Sequence, residues 1–258
     1  MISKNLISTV VFTALMFAAS AFVQKDRNPQ KEMKAAAENK GFAVLELFTS
    51  EGCSSCPPAD ELMGKIEREY RGQPVYILSY HVDYWNRMGW KDRFSSAENT
   101  QRQQQYNRLL KSQTYTPQLI INGKTELVGS DANTIIPEIR KSLSGSGSTT
   151  IALSASVSQK DLTVQYKTEE TDPSSVLQIA LIEKKSFTQV SKGENEGRYL
   201  QHWQIVRQQR QISLKNHPEG TLHFTVPDHY TSDQWEVIGF VQHPGTGKIT
   251  GASKAIIQ

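Results

Sequence analysis

The chain has 258 residues, of which 37% are hydrophobic and 21% charged, and its formal net charge is +3. Such a composition is typical of a folded protein with one large domain or two ordinary ones. The charge is mild and the sequence holds no run of five or more Lys or Arg residues, so we expect no nucleic-acid partner.

The N-terminus predicts export. Lys4 precedes an apolar stretch over Leu6–Val23, and Ala19-Ser20-Ala21 offers a small-residue cleavage site. This layout is typical of a secretory signal peptide over residues 1–21, so we expect a periplasmic or extracellular protein. The alternative is an uncleaved membrane anchor, because the stretch approaches the length that spans a bilayer. The polar residues 22–40 are predicted to form a flexible spacer.

Residues 41–143 alternate between strand-like and helix-like patterns. The largely apolar segments 42–48 (FAVLELF) and 74–80 (PVYILSY) predict buried strands. Between them, Pro57-Pro58 indicates the first turn of a helix, where a missing N–H group is tolerated. Further along, Asn122-Gly123 between two apolar runs predicts a hairpin. The predicted order is strand, CSSC, helix, strand, helix, Thr-Pro, strand, strand, helix, which describes an α/β domain.

The second half of the chain has a different pattern. Residues 144–150 are rich in Gly, Ser and Thr and predict a linker. Residues 151–258 contain strand after strand, and several of these, such as Ile151–Val157 and Leu162–Tyr166, alternate apolar and polar side chains. Alternation indicates sheets with one solvent-facing side. We therefore predict a mostly antiparallel, β-sandwich-like domain over 151–258.

The chemistry is expected at Cys53 and Cys56, the only cysteines in the sequence. Exported proteins stabilised by disulfides usually carry several of them, and a bridge across so short a loop stabilises little. At a helix N-terminus, free N–H groups and the helix dipole favour thiolate over thiol. We therefore predict thiol–disulfide exchange with a protein or small-molecule partner, with an exposed Cys53 as nucleophile and Cys56 as the resolving thiol.

These motifs carry a resemblance. CSSC at a strand–helix junction, followed by Thr116-Pro117, an Asn-Gly hairpin and a terminal helix, resembles the thioredoxin fold. The segments ELFTSEGCSSCPPAD, SYHVDYWNRMGWKDRFSS, YTPQLIINGKTELVGS and KGENEGRYLQHWQIVR together resemble a family of secreted thioredoxin-like proteins catalogued as a domain of unknown function. The resemblance implies that Pro117 forms a cis peptide bond beside the cysteines. It also implies that Thr116 offers backbone hydrogen bonds to an extended partner.

The chain departs from ordinary thioredoxins by a long insert after the second predicted strand. This insert holds His81, Asp83 and Trp85, and we expect Trp85, with Thr116, to bind substrate. His81 and Asp83 should emerge at the same sheet edge as the cysteines. His81 then has three open roles: to hydrogen-bond the loop, to support proton transfer or a thiolate, or to complete a Cu(I) site with the two cysteines.

The prediction for cofactors is none, with copper as the alternative. Structural zinc is disfavoured because it takes four protein ligands and the sequence has two cysteines. Besides the exchange function, a copper-binding or carrier module and a non-catalytic binding protein stay open. Residues 193–207, polar around His202 and Arg207, are expected to tie down a long loop. Their alternative role is to face the cysteines.

Overall fold

A computed structural model describes residues 41–169, 172–228 and 230–258. The predicted signal peptide and spacer, residues 1–40, lie outside the described residues. In chain order the elements are β1 (Ala43–Thr49), α1 (Pro57–Glu69), β2 (Val75–His81), a 3₁₀ helix (Tyr84–Met88), α2 (Ala97–Leu110), β3 (Gln118–Ile121), β4 (Thr125–Val128), α3 (Ala132–Leu143), β5 (Thr150–Ser158), β6 (Asp161–Glu169), β7 (Val176–Gln189), β8 (Tyr199–Ser213), β9 (Glu219–Thr225), β10 (Trp235–Gln242) and β11 (Ile249–Ala255). Across these described ranges, no helix combines the length and apolar character needed to cross a bilayer.

Most strands belong to one mixed sheet in the order β11-β10-β7-β8-β2-β1-β3-β4. The β1–β2 and β2–β8 pairs are parallel, and the other neighbours are antiparallel. Strands β5, β6 and β9 form a second, antiparallel sheet. The protein is therefore a mixed α/β fold with a large, mostly antiparallel sheet.

The sheet runs through both halves of the sequence, on either side of residues 144–150. A sandwich confined to residues 151–258 was expected, but β7, β8, β10 and β11 instead extend the sheet that contains β1–β4. The junction lies at Ser79 of β2, which pairs with Ile205 of β8. Alternating polarity predicts a strand with one wet face, but it does not say which sheet edge that strand joins. Strand β1 pairs with one edge of β2, and β8 pairs with the other edge.

Strand β1 lies at the centre of the core, and all of its residues are buried. On one face, Leu45 and Leu47 pack with Met63 of α1. On the other, Val44 and Phe48 join a cluster drawn from β2, β7, β8 and β10. Burial of each such side chain stabilises the fold by about 1.5–3 kcal/mol. Strand β1 therefore carries the residues that follow it, the CSSC loop, on a rigid support.

A buried ion pair connects β1 to α2. Glu46 is fully buried, and the Arg102 Nε donates to its Oε1 at 2.5 Å. The Tyr106 hydroxyl donates to the other carboxylate oxygen and accepts from the Gln242 side chain at 2.7 Å. A buried carboxylate needs such partners, because an unpaired charge in the interior is strongly destabilising. The network also links α2 to β10 in the second half of the chain.

Helix α1 packs closely against β8. A Cβ atom on Gly64 would overlap the indole ring of Trp203, reaching its Cδ1 at 2.7 Å. The Arg68 guanidinium lies 5.2 Å from the centre of the same ring. Glycine at this position therefore lets the helix and strand approach each other, which brings β8 next to the cysteines at the start of α1.

Candidate functional site

Cys53 and Cys56 form a disulfide between β1 and α1, with their Cα atoms 5.4 Å apart. Cys56 directly precedes the first helical residue, Pro57. Its carbonyl accepts the N–H groups of Ala59 at 2.9 Å and Asp60 at 3.1 Å, so it closes the first turn. The pair therefore lies at the N-terminus of α1, and it is in the oxidised form.

The prediction that Cys53 is exposed was wrong. Both cysteines are 0% exposed, although Ser54 and Ser55 between them are exposed. The local pattern of a loop before a helix suggests access to solvent. In the folded protein, two segments that are remote in the sequence pack against this loop. Their contacts bury the sulfur atoms.

The first covering segment is the Thr116–Pro117 pair, whose peptide bond is cis. The Thr116 carbonyl oxygen lies 3.8 Å from the Cys53 sulfur and accepts from the Ser55 hydroxyl at 3.4 Å. The Trp85 indole N–H donates to the Thr116 hydroxyl at 2.8 Å. The structure thus places Thr116 beside the disulfide, with Pro117 next to it in the chain and Trp85 hydrogen-bonded to it.

The second covering segment is residues 190–198 between β7 and β8, called the cover loop here. Asn195 in this loop is fully buried. Its side-chain nitrogen donates to the carbonyls of Glu51 and Cys53, each at 2.9 Å. Its side-chain oxygen accepts from Arg198 at 2.8 Å. Of the two roles open for residues 193–207, the contacts support the one in which the segment faces the cysteines.

The cover loop also contacts the insert and the exposed side of the CSSC loop. The Glu194 carboxylate accepts the Ser54 N–H at 3.0 Å, and hydrogen bonding from the Ser54 side chain and N–H lowers the pKa of Glu194. A Cβ on Gly193 would lie 3.4 Å from the Trp90 Cβ, so the loop backbone rests on the end of the insert. The loop therefore reaches the CSSC segment at residues 51, 53 and 54.

Beside the disulfide lies a group of buried ionisable side chains, the charged cluster: Glu51, Asp60, His81, Asp92 and His202. His202 of β8 is its centre, with Nε2 at 3.4 Å from the Glu51 carboxylate and Nδ1 at 3.5 Å from the Asp60 carboxylate. Burial alone would lower the pKa of His202, but Asp60 and Glu51 more than offset this and raise it to about 10. The imidazole is therefore a buried cation at neutral pH.

The charged cluster is adjacent to both cysteines along the chain. Asp60 follows Cys56 by four residues, and Cys56 already has helical backbone angles, so the two side chains share one face of α1. Glu51 precedes Cys53 by two residues, and its other carboxylate oxygen accepts the Trp90 indole N–H at 2.7 Å. Both oxygens of the Glu51 carboxylate are thus engaged, one by the His202 imidazole and the other by the Trp90 indole.

His81 occupies the second half of the charged cluster. Its Nδ1 lies 2.6 Å from Asp92, and the same Asp92 oxygen accepts the Glu51 N–H at 2.9 Å. Burial would raise the pKa of Asp92, but His81 and the backbone N–H groups lower it. The His81 ring also lies 4.9 Å from the His202 ring, centre to centre. Of the three roles left open for His81, the hydrogen bond to its own loop is present.

The insert was also considered for a Cu(I) site with His81, and Asp83 was expected at the same sheet edge as the cysteines. Among the residues that the structure describes, no three His, Cys, Asp or Glu side chains are arranged to hold a metal ion. Asp83 accepts the Thr100 hydroxyl at 2.6 Å, so it ties the insert to α2. These contacts give Asp83 a structural role.

Sequence reasoning missed most of the charged cluster and the role of Asn195. Asp60 shares the apolar face of α1 with Met63, and a charge on that face is a usable signal. Asp92, Asn195 and His202 carry no comparable signal, because they come from three separate segments that only the folded sheet brings together.

Comparisons with known proteins place the chain in a family. The family described as a protein of unknown function (DUF1223) matches residues 44–242. A crystal structure of a protein from Agrobacterium tumefaciens is 27% identical, covers 84% of this chain and 95% of that chain, and has a TM-score of 0.63. A domain of the outer membrane lipoprotein Omp28 from Porphyromonas gingivalis is 13% identical, covers 43% of this chain and 89% of that domain, and has a TM-score of 0.28, too low to support an argument. No curated protein matches the sequence. The chain therefore belongs to the DUF1223 family of proteins of unknown function.

Proposed function

We propose that this protein is an exported, thioredoxin-like protein that carries out thiol–disulfide exchange through Cys53 and Cys56. One observation carries the proposal: the two cysteines of the sequence are joined at the N-terminus of α1, with the Thr116 carbonyl 3.8 Å from the Cys53 sulfur. A disulfide across so short a loop stabilises little. Its placement at a helix N-terminus is better explained by chemistry, because that site favours thiolate.

The order of the elements supports the thioredoxin-like arrangement. Strand β1, the CSSC loop, α1, β2, α2, the Thr-Pro pair, β3, β4 and α3 follow one another as the resemblance implies. The four strands are neighbours in the order β2-β1-β3-β4, with β1 and β2 parallel. The CSSC loop therefore emerges from the carboxyl end of a central strand, beside the segment that contains Pro117.

The exchange reaction balances as follows. A thiolate of the partner attacks the Cys53 sulfur, the bond to Cys56 breaks, and Cys56 leaves as a thiolate. A second partner thiol then attacks the mixed disulfide and releases Cys53. The partner loses two electrons and two protons and becomes a disulfide, while Cys53 and Cys56 become thiols. The reverse reaction oxidises a partner dithiol.

The charged cluster has a defined place in this proposal. The departing Cys56 sulfur is buried, and an isolated thiolate there would be unfavourable. Asp60 lies one helical turn beyond Cys56, and His202 beside it carries a proton. We assign this pair the role of holding the proton or positive charge that the Cys56 thiolate needs. We expect the contribution of this pair to appear as a pH dependence of the reduction potential.

The compartment is part of the proposal. Disulfides persist in exported proteins and are rare in reducing compartments. The disulfide and the apolar N-terminal stretch of the sequence both support an oxidising compartment outside the cytoplasm.

A trapping experiment tests the function. In Cys56→Ser, the partner disulfide formed on Cys53 cannot be resolved, so we expect a covalent partner that reductant releases. The matched control, Cys53→Ser with Cys56→Ser, should accumulate none. A redox titration of the native pair with alkylation of free thiols should show a transition between about −120 and −270 mV. A pair that stays a disulfide throughout this range, with no trapped species in Cys56→Ser, excludes the function.

A further inference from the structure

Closure of the site is the feature that the exchange reaction does not explain. Exchange requires a nucleophile to approach a sulfur atom of the disulfide. Both cysteines are 0% exposed, so neither sulfur is open to an incoming thiolate in this structure. Some covering segment must move before any exchange begins.

The cover loop holds the CSSC loop through three hydrogen bonds. Asn195 donates to the carbonyls of Glu51 and Cys53 at 2.9 Å each, and Glu194 accepts the Ser54 N–H at 3.0 Å. Asn195 uses both nitrogen protons and its oxygen in these contacts and the one to Arg198. A buried amide with both N–H groups and its oxygen hydrogen-bonded is a specific contact, because each group left unsatisfied would be destabilising.

The cover loop is stabilised by hydrogen bonds within itself. It closes on itself through the Val190 N–H to the Arg198 carbonyl at 3.0 Å and the Gly197 N–H to the Val190 carbonyl at 2.9 Å. Gly193 and Gly197 have φ of +81° and +79°, which glycine adopts without strain. We therefore expect the loop to keep its own shape, and β7 and β8 to stay in the sheet, when its contacts to the CSSC segment break.

We propose that the cover loop is a latch, in which Asn195 and Glu194 keep the disulfide closed and local opening of residues 190–198 admits the reacting partner. This inference rests on the proposed exchange function and adds its regulation. The latch binds backbone groups of the CSSC loop, so it acts on access to the sulfur atoms. A partner that competes for the carbonyls of Glu51 and Cys53 or the Ser54 N–H opens it.

Reduction of the full-length protein by tris(2-carboxyethyl)phosphine tests the latch. The phosphine takes oxygen from water to become its oxide, and the disulfide becomes two thiols, which are alkylated and counted by mass. Asn195→Ala removes the two hydrogen bonds from Asn195 to the CSSC loop and should speed reduction about tenfold or more. Glu194→Ala removes one and should speed it about threefold. The matched control Glu196→Ala, an exposed cover-loop carboxylate, should stay within about twofold of the native rate.

Two readouts separate the latch from a general loss of stability. Local opening changes little surface, so the faster rates should be almost insensitive to low urea, whereas reduction through global unfolding rises steeply with it. Amide hydrogen exchange at Ser54 should be slow in the native protein and fast in Glu194→Ala. If Asn195→Ala does not fold, the exchange rate of the Ser54 amide in Glu194→Ala tests the latch on its own.

Equal phosphine rates in the native protein, Asn195→Ala and Glu194→Ala overturn the latch. Faster rates that follow global unfolding overturn it as well. The phosphine needs no catalysis by this protein, so failure of the exchange function is seen separately, as a lack of trapped partner in Cys56→Ser. Faster reduction without trapping would keep the latch and reject the exchange function.

Discussion

The imidazole of His202 should make the stability of the oxidised protein depend on pH. Its pKa is raised to about 10 in the folded protein by Asp60 and Glu51, against about 6.5 in an unfolded chain. Between these values the folded protein binds a proton that the unfolded chain lacks. The free energy of unfolding therefore falls as pH rises, by up to about 1.4 kcal/mol per pH unit. The contribution is complete below pH 6.5 and is lost as pH rises through about 10.

The assay is urea unfolding followed by tryptophan fluorescence between pH 7 and 9. We expect the native protein to lose about 2–3 kcal/mol over this range through His202. His202→Gln should abolish that slope, and it should lower stability by about 3–5 kcal/mol at pH 7, because it leaves two buried carboxylates without their cation. The double variant Asp60→Asn, His202→Gln removes one of these charges and should recover part of the loss.

The matched control for this prediction is His223→Gln. His223 also pairs with a carboxylate, Asp161, at 2.9 Å, but its side chain is 59% exposed and water screens the pair. We expect a change below about 1 kcal/mol and an unaltered slope. Equal slopes for the native protein and His202→Gln would refute the assignment of a buried cation to His202.

Two further predictions concern the contacts that join the halves of the chain. Replacing glycine by alanine usually stabilises a helix interior by about 1 kcal/mol. Gly64→Ala should instead destabilise the protein by about 1–3 kcal/mol, because the added methyl group overlaps the Trp203 side chain. Urea unfolding checks this, and the loss should shrink in a Trp203→Leu background; a gain in stability would contradict the packing. Arg102→Met should lower stability by about 3–5 kcal/mol by leaving Glu46 buried and unpaired. Adding Glu46→Gln should recover part of that loss, and a double variant no more stable than Arg102→Met would contradict the ion pair.

Local patterns in the sequence predicted the local elements well. The first strand was predicted over 42–48 and is observed as Ala43–Thr49, and the hairpin predicted at Asn122-Gly123 is observed between the strands Gln118–Ile121 and Thr125–Val128. These elements are encoded by nearest neighbours: runs of apolar residues, the Asn-Gly turn and prolines in a first helical turn. The cysteines could be placed at a helix N-terminus for the same reason.

Long-range pairing could not be predicted in the same way. Strand β8 contains the run Gln208-Gln209-Arg210-Gln211, which lacks a clear alternation, and it was not assigned as a strand. The sequence therefore left the approach of residues 193–207, with His202, to the cysteines as the less favoured of two roles. Strand β8 beside β2 supplies His202 to the charged cluster and leads into the cover loop, which helps to bury Cys53 together with Thr116 and Pro117. A single sequence contains no signal for such a pairing.

The β7–β8 hairpin has a consequence for the order in which the protein matures. During synthesis, the segment with Cys53 and Cys56 leaves the ribosome well before Asn195 and His202 do, since chains are made from the N-terminus. Until β8 and the cover loop have folded, their contacts to the CSSC loop are absent and the edge of β2 is unpaired, so we expect an oxidant of the exporting compartment to reach the two sulfur atoms more easily than in the finished protein. Arrival of β8 then seals the new bond. Oxidation during biogenesis and exchange in the finished protein are thus separate events with different access, and a chaperone that shields β2 would act in the interval between them.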